Sequence, residues 1–75
     1  MDVYVVGHTD MTGELEYNMD LSFRRARAVV NELEAFYRIA SGRMEARGVG
    51  PLSPVSSNRV EEGRTLNRRV ELVGK

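Results

Sequence analysis

In the stretch VYVVGHTDMTGELEYNMDLSFRRAR, residues 3–27, one acid and three cations are spaced so that they can face each other. Residues 3–9 read as a strand that delivers Asp10 to its carboxyl end, a Gly-containing loop follows, and a helix capped by Ser22 carries Arg24, Arg25 and Arg27 in its first turn. A carboxylate across a short gap from a guanidinium suits a zwitterionic ligand, whose ammonium takes the acid and whose carboxylate takes the arginine. Cations at a helix amino terminus are disfavoured by roughly 0.3–1 kcal/mol. The position where a capping box would place Glu or Gln holds Arg25. Such a breach of local rules is expected at a functional site. The competing reading is that arginine is a good helix former, that Asp20 offsets the charge, and that all three side chains are simply solvated. Spacing alone leaves both open.

Other chemistries find less support. His8 and Asp10 supply two metal-ligand types, but no third ligand follows at a recognisable spacing, and Glu14, Glu16 and Asp20 do not match a calcium loop. With no cysteine there is no disulfide or thiolate site, and no G-x-S-x-G elbow appears. Gly48-Val49-Gly50-Pro51 lacks the rest of a dinucleotide fingerprint and reads as a turn. No cofactor is implied, and no enzyme activity. Eleven basic and eleven acidic residues cancel, without the basic stripe of a nucleic-acid binder. No run approaches the roughly 18 apolar residues of a membrane span.

The elements that must position these groups follow from periodicity. Residues 3–9 are apolar on both faces, Val3 and Val5 on one and Tyr4 and Val6 on the other, which predicts a central strand covered on both sides. Gly7 suits a close backbone or ligand approach. Residues 22–40 carry Ala26, Val29, Val30, Leu33, Phe36 and Tyr37 at helical spacing, a stripe that packs on the sheet, with Glu34 and Arg38 as an i, i+4 pair. Ser41-Gly42 ends that helix, Gly42 as C-cap. Residues 43–47 form a strand with Met44 and Ala46 inward, 50–57 a loop, 58–66 a weaker helix from an Asn58/Glu61 capping box interrupted by Gly63, and 69–73 a strand. The fold class is α/β: a two-layer β-α-β-α-β arrangement on a small mixed sheet, one domain over residues 1–75. At 75 residues such a domain buries only about 60% of its unfolded surface. An unpaired sheet edge leaves room for a homodimer.

GHTDMTG, Tyr17-Asn18, LSFRRARAVV, RGVGPLSPV and SNRVEEGRTLNRRVEL together resemble the C-terminal peptidoglycan-binding domain of outer-membrane protein A, a family that includes the peptidoglycan-associated lipoprotein and flagellar stator proteins of the MotB type. The similarity covers nearly the whole chain. It implies a non-enzymatic anchor on the periplasmic face of the Gram-negative outer membrane or cell envelope, with peptidoglycan as partner, gripped through the meso-diaminopimelate of its stem peptide. By the resemblance, Asp10 and Arg25 are the principal ligand contacts and Asn18 gives polar support to the same pocket. Thr9 adds its backbone or hydroxyl, and Asn67 with Arg68 or Arg69 borders the site. Members of the family have a further strand and helix before the GHTD strand, so the expectation is a truncated version of the fold and a piece of a larger protein.

Overall fold

The computed structural model describes residues 2–40 and 42–75. Five elements follow in order: β1 (Val3–Gly7), α1 (Leu15–Tyr37), β2 (Met44–Gly48), α2 (Glu61–Asn67) and β3 (Val70–Gly74). They build a three-stranded mixed sheet in the order β2-β1-β3, with β1 parallel to β2 and antiparallel to β3. β1 is therefore central, as its apolar run predicts.

The core is small and lies between the sheet and α1: Val5, Ala26, Val30, Met44 and Ala46, with Val3, Val29, Leu33 and Ile39 against it. Glycines permit this contact. A Cβ on Gly7 would lie 2.0 Å from the Ser22 carbonyl oxygen, and one on Gly48 would lie 2.4 Å from the Phe23 nitrogen. Helix and sheet backbones thus meet where the side chains vanish.

Several expectations change. α1 begins at Leu15, a residue after Glu14, which makes no side-chain cap. Ser22 is not the cap but an interior residue, donating from Oγ to the Met19 carbonyl at 2.8 Å and accepting from the Gly50 amide at 2.9 Å. Arg24, Arg25 and Arg27 are therefore in mid-helix, away from the dipole's positive end, and they break no capping rule. The helix start was hidden because Leu15 and Tyr17 in the first turns are exposed and give no inward stripe.

At the other end Phe36 and Tyr37 are 76% and 71% exposed rather than packed on the sheet. A 23-residue helix is about 34 Å long, whereas a five-residue strand spans only about 17 Å, so the last turn overhangs. The left-handed C-cap is Arg38 (φ 55°), not Gly42. No Glu34–Arg38 pair forms, because Arg38 has left the helical conformation. Ser41 lies outside the described residues.

Only one face of β1 is covered by a helix. On the other, the Tyr4 ring lies beneath Lys75 (5.0 Å) and Arg47 (6.0 Å), so long cationic side chains do the covering. α2 starts at Glu61 after Val60, without a side-chain cap. The Asn58 side chain does not cap α2; it accepts a bond from the Asn67 amide instead.

Candidate functional site

Asp10 lies three residues past the end of β1 in a segment fixed at every step. The Thr9 amide donates to the Gly50 carbonyl at 2.9 Å, and the Val49 amide donates to the Gly7 carbonyl at 3.1 Å. The Thr9 hydroxyl donates to the Asp10 carbonyl at 2.9 Å. The Asp10 carboxylate accepts from the Thr12 amide at 2.8 Å through Oδ1, an Asx turn that folds the loop back. Asn18, buried on the second turn of α1, donates its amide to the Thr12 carbonyl at 2.8 Å. It braces the loop that presents the acid.

The other carboxylate oxygen, Oδ2, accepts from the Arg68 guanidinium. Arg68 caps α2 and reaches two more acceptors with Nη2, Glu61 Oε1 at 2.8 Å and Thr65 Oγ1 at 3.0 Å. The Asp10 side chain is 7% exposed and that of Arg68 37%, so the guanidinium sits on the solvent side of the acid. Burial by itself would raise the Asp10 carboxyl, but the Thr12 amide and the Arg68 guanidinium outweigh it and hold the group below its ordinary value of 3.8. Asp10 is a carboxylate at neutral pH, with acceptor capacity beyond the two bonds it makes.

Arg25 makes no hydrogen bond or ion pair among the described residues and is exposed. It lies seven residues after Asn18, two turns along the same helix stripe and about 10 Å down the axis. Helical side chains lean toward the amino terminus, which tilts Arg25 back toward the end of α1 that carries Asn18. Of the neighbouring arginines, Arg24 is tied to Asp20 (2.7 Å).

A family model described as the OmpA family matches residues 1–68. The chain belongs to the OmpA family. It is 49% identical over 67 residues to outer membrane porin F of Pseudomonas aeruginosa, covering 89% of this chain and 19% of the porin. It is 41% identical over 71 residues to the peptidoglycan-binding protein ArfA of Mycobacterium tuberculosis, covering 95% of this chain and 22% of ArfA. The fold superposes on the peptidoglycan-associated lipoprotein from Burkholderia pseudomallei with a TM-score of 0.89 at 35% identity, covering 96% of this chain and 60% of the solved one. This OmpA-family chain thus spans less than a quarter of the length of those two curated relatives.

Within this OmpA-family domain the remaining candidate residues separate. Of the two neighbouring arginines, Arg68 takes Asp10, whereas Arg69 pairs with Glu71 and donates to the Ser53 carbonyl at 3.1 Å. Asn67 is adjacent in sequence to Arg68 but lies wholly beneath the surface. It is fully buried and fully bonded, accepting from the Val55 and Ser56 amides (2.8 and 3.1 Å) and donating to the Ser56 carbonyl and Asn58 Oδ1 (both 3.0 Å). It clamps the 55–58 loop to α2. Glu61, which the sequence offered only as half of a capping box, is the missed member of the site. Its spacing from Arg68, seven residues or two helical turns, was the available signal.

Proposed function

We propose that this chain binds peptidoglycan noncovalently, anchoring the envelope protein that carries it to the cell wall, with the meso-diaminopimelate of the stem peptide as the group it grips. The observation that carries this reading is the enclosed, ionised Asp10 at the end of the central strand, in a chain whose relatives include proteins named for peptidoglycan binding and peptidoglycan association. The distal end of diaminopimelate bears an ammonium and a carboxylate on one carbon. The ammonium suits Asp10, and the carboxylate suits the guanidinium of Arg25, which has no partner among the described residues. Thr9 and Asn18 hold the acid in place rather than touching the ligand. No bond is made or broken, so the site works as a receptor and not as an enzyme. The reading puts the work at the outer membrane and the wall beneath it, supported by relatives named as an outer membrane porin and a peptidoglycan-associated lipoprotein.

Charge-assisted bonds contribute roughly 1.5–3 kcal/mol each, and lost translational freedom offsets much of two such bonds. A single site therefore binds weakly, in the range of about 10 µM to millimolar, and the polymeric wall strengthens attachment through multivalency. Cosedimentation with diaminopimelate-type sacculi tests the assignment. Asp10→Asn and Arg25→Ala should each leave the protein in the supernatant while circular dichroism is unchanged, and lysine-type sacculi should retain little of the unaltered chain. Full retention of both variants would reject the reading.

A second reading, pairing of two copies through a sheet edge, is favoured by β3. The His8 amide bonds the Arg69 carbonyl at 2.7 Å and the Lys75 amide bonds the Asp2 carbonyl at 3.1 Å. By antiparallel alternation Arg69, Glu71, Val73 and Lys75 turn their backbone groups to β1, which leaves those of Val70, Leu72 and Gly74 facing outward. Two such edges can pair about a twofold axis with Leu72 opposite Leu72 and Glu71 opposite Val73; Arg69 then falls opposite Lys75, each already paired with an acid of its own chain, Glu71 and Glu45.

A further inference from the structure

The pair formed by Arg68 and Asp10 has a consequence for how any cation reaches the acid. Resting on the peptidoglycan-binding reading above, we infer that Arg68 is a built-in occupant of the ammonium position, and that a ligand amine binds by displacing it from Asp10 onto Glu61. Three observations support the exchange. The Asp10 side chain is nine-tenths enclosed and Arg68 lies on its open side, so a second cation does not reach Oδ2 while the guanidinium stays. The guanidinium is divided between two acids through different nitrogens, Nη1 to Asp10 and Nη2 to Glu61 at 2.8 Å, so losing one still leaves a charge partner. Glu61 is itself fixed, its second oxygen accepting from Arg64 Nε at 3.0 Å, and Arg64 is tied to the Asn58 carbonyl at 3.0 Å. Glu61 is therefore a positioning residue: it never meets the ligand but sets how readily Arg68 leaves.

A guanidinium spans two carboxylates because it is a planar fork, whereas an ammonium is a point charge. Removing Arg68 takes away the competitor, and removing Glu61 takes away the place to which the competitor retreats. Non-additivity between the two changes then reports the exchange, because a merely structural effect of Glu61 would persist without Arg68.

The test is calorimetric titration of the full chain with the soluble tripeptide L-Ala-γ-D-Glu-meso-diaminopimelate. Relative to the unaltered chain, Arg68→Gln should tighten binding by about threefold and Glu61→Gln should weaken it by about threefold. In the Arg68→Gln background, Glu61→Gln should have no effect. Arg68→Lys keeps the charge and guards against a fold defect in the glutamine variant; it should bind between the unaltered chain and Arg68→Gln. Asp10→Asn is the control arm and should abolish binding. An Arg68→Gln variant that folds but binds as poorly as Asp10→Asn would make Arg68 a direct ligand contact and overturn the exchange. So would an equal Glu61→Gln penalty in both backgrounds. No binding by the unaltered chain, or full binding by Asp10→Asn, overturns the underlying reading and the exchange with it.

Discussion

His8 shows how a single side chain links the sheet to pH. It is buried, neither ring nitrogen has a hydrogen-bond partner, and its nearest acid, Glu71, is 3.9 Å away and paired with Arg69. Burial first, and the Arg69 charge second, push the imidazole below its ordinary 6.5, with Glu71 pulling weakly the other way. A depressed folded value means that the unfolded chain binds the proton more readily. The stabilisation is present above the unfolded value near 6.5 and is lost as pH falls below it toward the folded value. Denaturant midpoints should therefore drop between about pH 7 and 5 for the unaltered protein and much less for His8→Leu. Identical slopes for the two would discard the account. Asp10, Glu61 and Glu71, all lowered, destabilise the fold only at more acidic pH. At this scale Asp10 was legible in the sequence because a strand carries it to its end. The choice between Arg68 and Arg69 was not legible, because it depends on where α2 stops, and neither was the burial of Asn67, because nothing in its neighbours reveals a loop folding back over it.

Among the elements, α2 is decided by contact rather than propensity. Its buried residues, Gly63 and Asn67, are four apart on one face and press on the 55–58 loop. A Cβ on Gly63 would come within 1.8 Å of the Ser57 carbonyl oxygen. Gly to Ala inside a helix ordinarily stabilises by roughly 0.5–1 kcal/mol. Here Gly63→Ala should instead destabilise, by about 1–3 kcal/mol of overpacking, read as a lowered melting midpoint. A raised midpoint would show that α2 does not lie against the loop. The same glycine read as an interruption in the sequence, since periodicity cannot see a backbone arriving from outside the helix. β1, β2 and β3 were found within one or two residues by alternation; α1 packs on one face of β1 and of β2, whereas β3 is legible from its own apolar and charged residues although it stays largely exposed. The start of α1 was missed for a different reason: its first turns pack on loops through the polar Asn18 and through Met19, while Leu15 and Tyr17 stay exposed, so no apolar stripe marks them.

The whole molecule is lopsided. Among the described residues five hydrophobic ones form the buried core while thirteen large ones are exposed, among them Leu72 at 64%. Leu72 lines an apolar cleft of about 310 Å³ with Val3, Leu33, Ile39, Arg43 and Met44, on the side of the sheet where α1 alone provides cover. The cleft lies at the start of β1, far from Asp10, and has no part in the charge chemistry. The accessible surface is 5114 Å², against roughly 4,650 Å² expected for a compact monomer of this mass. An outward-facing strand edge beside exposed apolar surface favours self-association. Light scattering should show the mass rising toward that of a dimer with concentration, and Leu72→Lys should hold it at the monomer. A constant mass for the unaltered chain would eliminate pairing through β3.

The sequence by itself determined the alternating strands, the long amphipathic helix, the α/β class and the acid at the end of the central strand. These follow from the period of the chain and from a run of residues that local rules can interpret. Tertiary structure alone decided which arginine meets Asp10, that Glu61 shares it, that Asn67 closes a loop, and that the arginines of α1 stand in mid-helix. Each of those depends on where one element ends against another, and the free energy of such contacts is set by distances across the fold that no spacing along the chain records.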